Sequence, residues 1–178
     1  MAVGPEYLDA CIRDYLNTTA PRTMVVLEPL KIIIANFSGG KKTIEVPDFP
    51  SATPGSSSSA TTHNVTLSSV VYIERSDFRD GGKIDKDYRR LTSEQPVGLR
   101  HAGLVIKVEK VVKSPEGNVR ELHVTCTQAD EVAKKPKAFI HWVSEPKLVE
   151  VRLYEHLFMH EHPEDASEVR SLKFHNIR

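Results

Sequence analysis

Residues 103–127 read GLVIKVEKVVKSPEGNVRELHVTCT and carry the pattern of a β-hairpin. On both sides of the centre, apolar and polar residues alternate, which is the two-residue period of a strand with one buried face. Between the two halves lies Ser114–Asn118, which combines proline, glycine and asparagine, the residues that favour tight turns. The stretch therefore predicts two long strands that pair antiparallel.

Further strand-like segments flank this hairpin. They are rich in β-branched residues, and they cover residues 25–37, 42–46, 69–76, 137–144 and 147–157. Pro29 indicates a break or an edge position, because proline cannot donate to a sheet ladder. Many strands at close spacing with almost no helix predict a mainly β protein. Between a barrel and a sandwich, we favour an antiparallel β-barrel.

A single helix is predicted ahead of the strands, over residues 5–18. Its apolar residues recur at the three-and-four spacing of one helix face; they are Tyr7, Leu8, Cys11, Ile12, Tyr15 and Leu16. Pro21 ends it, since the residue before a proline avoids helical geometry. One short helix cannot bury this face by itself, so it must pack on the barrel or on another partner.

Residues 51–69 are dominated by serine, threonine, glycine and proline, a composition that cannot build a core. We expect a flexible surface loop there. Residues 79–87 form a second exposed loop of mixed charge.

Composition narrows the possible functions. The 178 residues include 24 basic and 24 acidic side chains, so a nucleic-acid site must be a local patch. Cys11 and Cys126 lie outside any metal-ligand spacing; we expect reduced thiols, with a disulfide as the alternative. No apolar run reaches membrane-spanning length, and the first residues do not resemble a targeting segment. We therefore expect a soluble cytoplasmic protein.

No catalytic constellation stands out. Gly39 and Gly40 are followed by two lysines but not by a helix, so a P-loop is not predicted. His156, His160 and His162 are the best metal candidates, but no fourth ligand lies at a suitable spacing. We predict no catalytic residue and no metal site.

Arginines around turns suggest recognition instead. Arg89 and Arg90 precede Arg100 across a Gln-Pro-Val-Gly stretch, and Arg22 follows Pro21 where the helix meets the strands. Guanidinium groups bind phosphates and base edges in a planar, forked geometry. Surface salt bridges are the alternative for each of them, and sequence spacing does not show that they meet.

Five segments together resemble a known family. They read APRTMVVLEPLK (20–31), VYIERSDFR (71–79), YRRLTSEQPVGLRHAG (88–103), PKAFIHWVS (136–144) and EVRLYEHLF (150–158). In this order and spacing they resemble the carboxyl-terminal part of glutamine–tRNA ligase of the eukaryotic cytoplasmic type, from about residue 7 to residue 169. Glutamate–tRNA ligase, which shares the barrel, is the alternative family.

The resemblance implies a domain organisation. Residues 1–21 would end a helical connector, and residues 22–160 would form the proximal anticodon-binding β-barrel, similar to a ribosomal-protein barrel, with the flexible loop 51–69. Residues 161–178 would be a partly disordered tail. The family's ATP and glutamine sites belong to an amino-terminal domain whose signature motifs are missing from this sequence. We therefore expect no cofactor in this chain and no catalysis by the chain alone.

The resemblance also implies roles for the arginines. Arg22 takes the place of a contact to the middle anticodon base, Arg89 and Arg90 of contacts near the third base, and Arg100 of a contact to the first. Bacterial members carry a further arginine where this chain has Gly98, so that contact does not carry over. We expect weaker phosphate contacts from Lys86, Lys107 and Lys110.

The partner implied in this way is glutamine tRNA, and neither DNA nor a membrane is expected. A module that docks other synthetases is the competing hypothesis.

Overall fold

The computed structural model describes residues 4–49, 61–81 and 87–153. Its elements are α1 (Pro5–Thr19), β1 (Pro29–Ile34), β2 (Lys42–Pro47), β3 (Thr62–Leu67), β4 (Val70–Glu74), β5 (Phe78–Arg79), β6 (Leu91–Thr92), β7 (Val97–Leu99), β8 (Leu104–Lys113), β9 (Val119–Gln128) and β10 (Phe139–Ile140). A short 3-10 helix, Arg75–Asp77, joins β4 to β5. Residues up to Glu145 form one compact unit, and a second unit begins at Pro146.

Six strands form one nearly closed sheet in the order β10, β7, β8, β9, β1, β4. The two outer strands meet at a bridge between Tyr72 of β4 and Val143, just beyond β10. Two backbone hydrogen bonds of 2.8 and 2.9 Å join these residues. A barrel of mainly β structure is therefore confirmed.

The strand directions differ in part from the expected antiparallel arrangement. The hairpin of β8 and β9 is antiparallel, but β1 pairs with β9 in parallel, and so does β10 with β7. In both parallel pairs the partners are far apart in the chain, as parallel pairing requires. Hairpin turns predict direction only for neighbouring strands, so the mixed sheet was not visible in the sequence.

The core lies inside this sheet. Its fully buried side chains include Ile32, Val71, Leu122, Val124 and Trp142, each 0% exposed. Along β9 the alternation seen in the sequence places Leu122 and Val124 inward and leaves their neighbours less buried. The predicted hairpin and its turn at Ser114–Asn118 are confirmed, with Asn118 accepting the Ser114 N–H at 2.8 Å.

Two segment predictions are wrong in part. Thr62–Leu67, expected within the loop 51–69, forms β3 and pairs antiparallel with β2; residues 51–60 lie outside the described part of the chain. Only Leu67 of this strand is fully buried. Because the strand needs few apolar residues, its sequence is polar and resembles that of a loop. Residues 147–153 of the predicted strand 147–157 form no strand, apart from one bridge residue at Val151. Proline 29 is the first residue of β1, which fits its missing donor.

Helix α1 is confirmed at residues 5–19, but none of its residues is buried. Tyr7 is 69% exposed and Tyr15 68%, so the predicted apolar face is uncovered in this unit. Cys11 and Cys126 are free thiols. None of the helices in the described ranges is long and apolar enough to cross a membrane. Residues 161–178 lie outside those ranges.

Candidate nucleic-acid interface

Arg100 lies directly after β7, with its backbone held on both sides. Its N–H donates to the Ile140 carbonyl at 2.9 Å, and its own carbonyl accepts from Nε1 of Trp142 at 2.9 Å. Leu99 before it is 0% exposed and points inward, so the alternation of a strand turns Arg100 outward. Its side chain is exposed. The core therefore sets the position of Arg100 and leaves its guanidinium accessible.

Arg90 is anchored by a buried carboxylate. Its Nε lies 3.1 Å from Oδ1 of Asp77, which is 6% exposed. Burial raises the pKa of Asp77, while the positive charges of Arg90 and His141 act in the opposite direction. Beside the pair, the Gln95 amide donates to the Arg90 carbonyl at 2.8 Å and stabilises the backbone of the turn. One face of the Arg90 guanidinium is thus directed into the protein, and about half of the side chain stays exposed.

The segment that follows β10 lies beside Arg100. Ile140 and Trp142 point into the core, at 1% and 0% exposure, so His141 between them faces outward. Because β10 runs parallel to β7, His141 lies beside Arg100. Arg100 and His141 therefore lie side by side on the outside of the barrel, and Arg90, ten residues before Arg100, lies against Asp77.

Arg22 lies where α1 meets the barrel, and its described hydrogen bonds lead to Asp48 and to α1, not to Arg90 or Arg100. Its N–H donates to the Asp48 carbonyl at 2.6 Å, and the Asp48 carboxylate lies 2.7 Å from Nδ1 of His63. Burial lowers the pKa of His101, and the positive charge of Arg100 acts in the same direction. The Arg22 guanidinium itself donates to Oδ1 of Asn17 at 3.0 Å.

Arg89 lies on the segment next to Arg90 and is exposed. The preceding Tyr88 fixes this segment through a cation–π contact, because the Arg79 guanidinium lies 4.3 Å from the centroid of its ring. Gln95 donates to the Tyr88 carbonyl at 3.1 Å. The described contacts thus position the backbone at Arg89 and leave its side chain toward solvent.

Two of the three lysines share the outer barrel face. Lys107 is opposite Thr125 in the ladder and Lys110 opposite His123, and a bulge between Val108 and Lys110 keeps both lysines outward although they are three residues apart. Both are exposed. Lys86 lies outside the described residues.

Phe139 and Gly98 form a contact that sequence reasoning missed. They are partners in the β10–β7 register. A Cβ placed on Gly98 would lie 3.0 Å from Cγ of Phe139 and would overlap two further ring atoms. The phenyl ring therefore covers Gly98, at the position where the resemblance places an additional arginine in bacterial proteins.

Asp77, Trp142 and Phe139 were not predicted as site residues. Nothing in the neighbouring sequence distinguishes the buried Asp77 from aspartates that lie on the surface. Among the described residues, no group of three or more histidine, cysteine or acidic side chains is arranged to hold a metal ion. The histidines 156, 160 and 162 lie outside that part of the chain.

Comparison with known proteins shows the family of this chain. A family profile described as "tRNA synthetases class I (E and Q), anti-codon binding domain" matches residues 20–127. The chain belongs to this family. A second profile with the same description matches residues 139–177.

Several proteins named as glutamine–tRNA ligases are similar to this chain. The chain is 52% identical over 167 residues to a glutamine–tRNA ligase of Bos taurus, and 53% identical over 171 residues to a probable glutamine–tRNA ligase of Drosophila melanogaster. A glutamine–tRNA ligase of Escherichia coli O157:H7 is 38% identical over 173 residues. These alignments cover 93–95% of this chain but only 20%, 21% and 30% of the three relatives. The chain thus spans about a fifth of the length of the animal relatives.

Proposed function

We propose that this barrel binds the anticodon loop of glutamine tRNA through Arg22, Arg89, Arg90 and Arg100. The geometry that supports the proposal is the β10–β7 register, by which His141 comes beside Arg100, together with the contact of Arg90 with the buried carboxylate of Asp77. Membership of the anticodon-binding family supports tRNA as the ligand, and the relatives named glutamine–tRNA ligase support glutamine tRNA in particular.

The physical chemistry of the surface suits a splayed anticodon. Sequence-specific RNA recognition uses unstacked loop bases, whose edges and faces meet polar groups and guanidinium planes. Arginines that are held in place before binding lose less conformational entropy on contact. The chain has no net charge, so the affinity must come from this local patch, with Lys107 and Lys110 supplying salt-sensitive phosphate contacts.

In this proposal, the reaction of glutamine with ATP is carried out by other parts of the whole ligase. The barrel would supply anticodon recognition for ATP-dependent glutaminylation and would not catalyse by itself. Docking to other synthetases and a cytoplasmic location remain predictions.

Binding of two anticodon stem-loops tests the proposal. One carries a glutamine anticodon and the other the same stem with a changed first anticodon base. We expect Arg100→Ala to reduce the discrimination between them by about 1–3 kcal/mol, the usual range for one base contact. A filter-binding titration at physiological salt measures both affinities.

Arg120→Ala is the matched control. Arg120 is exposed and lies near the turn of the β8–β9 hairpin, about 25–30 Å along the strands from the end next to Arg100. Its loss should change neither affinity. Equal binding of the two stem-loops by the unmodified chain, or no binding at low salt, would contradict the proposed function.

A further inference from the structure

Phe139 is a large aromatic residue displayed on the outside of the barrel. It is 51% exposed, whereas Ile140 next to it is 1% exposed and belongs to the core. The ring is supported from below by Gly98, its partner in the neighbouring strand. One face of the ring is therefore packed on backbone, and the side chain keeps half of its surface open to solvent.

Glycine at position 98 is what allows this arrangement. Gly98 is buried beneath the ring and does not have a positive φ, so no turn geometry requires a glycine there. Any side chain at this position would collide with the ring and displace it. The pair thus acts as a flat apolar platform whose height and orientation are set by two paired strands.

Cationic side chains border the platform. Arg100 is two residues beyond Gly98 on the same face of the chain, about 7 Å away along the strand direction. Val105, opposite Gly98 in β8, is followed two residues later by the outward Lys107. His141 stands two residues beyond Phe139 on the same side. The ring is therefore flanked by groups that can meet the phosphates or polar edges of a nucleotide.

We propose that Phe139 is a stacking platform for one unpaired base of the anticodon loop, with Arg100 contacting the same nucleotide or its neighbour. An exposed aromatic ring beside basic side chains is the combination that binds single-stranded nucleic acid, since every base has a π-face. A protein partner would not require the cations on both sides. The inference rests on the proposed function and adds to it a contact made by an aromatic ring instead of a second guanidinium.

Binding of the stem-loop to Phe139→Leu tests the platform. Leucine keeps an apolar side chain on the surface but cannot stack, so the affinity should fall about 5- to 100-fold, the range for loss of one base–aromatic stack. Phe139→Tyr retains the ring and should bind as the unmodified chain does. Tyr7→Leu removes an aromatic ring that is 69% exposed from α1 and should leave the affinity unchanged.

A fluorescent base gives a direct readout. Stem-loops carrying 2-aminopurine at each unpaired loop position in turn should show one position whose fluorescence is quenched on binding. The quench should disappear with Phe139→Leu and persist with Phe139→Tyr. Arg100→Ala should weaken binding without abolishing the quench in the complex that still forms.

The results separate this inference from the proposed function. Loss of affinity with Arg100→Ala but not with Phe139→Leu overturns the stacking platform and leaves anticodon binding in place. The absence of any position whose quench depends on Phe139 also overturns it. Unchanged affinity in both variants overturns the proposed function as well.

Discussion

Replacement of Trp142 by phenylalanine would test how the core positions the RNA-binding surface. Trp142 is 0% exposed, and its Nε1–H is the donor to the Arg100 carbonyl. Phenylalanine keeps most of the apolar ring but removes this donor. The variant therefore separates the hydrogen bond from the general need for a large aromatic side chain.

The expected loss of stability has two parts. The Arg100 carbonyl, which is part of a half-buried hydrogen bond, would lose its donor at a cost of about 1–3 kcal/mol. The smaller ring leaves a void of roughly methyl size or more, which costs about 1 kcal/mol. The free energy of unfolding should thus fall by about 2–4 kcal/mol. Because domains are stable by about 5–15 kcal/mol, the variant should remain folded.

Urea unfolding gives the stability and stem-loop titration the affinity, both at a temperature where the variant is folded. Val124→Ala, a truncation of an equally buried residue in β9, controls for stability loss alone. We expect Trp142→Phe to weaken RNA binding and Val124→Ala to leave it unchanged. Equal affinities of the two variants would refute the positioning of Arg100 by Trp142, and an unchanged unfolding free energy would refute the hydrogen bond's contribution.

Two further predictions concern Asp77 and Gly98. Burial raises the pKa of Asp77, so the ionised carboxylate lowers stability relative to its protonated form. Asp77→Asn should therefore gain stability relative to the unmodified chain as pH rises above about 4, the ordinary pKa of aspartate; thermal melts at pH 3.5 and 7 measure this, and a constant difference would contradict it. Gly98→Ala should displace the Phe139 ring and weaken stem-loop binding, although no functional group is removed. In a Phe139→Leu background the same change should have little further effect, and additive losses in the double variant would count against a shared platform.

The sequence predicted those helices and strands in which apolar residues recur with a clear period. Alternation along residues 103–127 predicts β8 and β9, and the three-and-four spacing over residues 5–18 predicts α1, because each period reports which side of one element is apolar. The same logic failed for Thr62–Leu67, where a polar strand is held mainly by its pairing with β2. It failed also for Val97–Leu99, which is short and follows a proline.

The sequence allowed the residues of the candidate site to be predicted only one by one. Arg22, Arg89, Arg90 and Arg100 stood out through the resemblance to a ligase family, and the arginines around residues 88–102 through their spacing. The side chains that contact these arginines could not be predicted from the sequence. Asp77 meets Arg90 across 13 positions of the chain, and Trp142 meets Arg100 across 42.

The sequence by itself determined the mainly β class, the central hairpin, the amino-terminal helix and the family. Only the tertiary structure decided that β10 lies beside β7 in parallel, and with it that His141 adjoins Arg100 and that Phe139 covers Gly98. The physical reason is that alternation records the inward and outward sides of each strand, whereas the choice of neighbour depends on how all the apolar sides close around a single core.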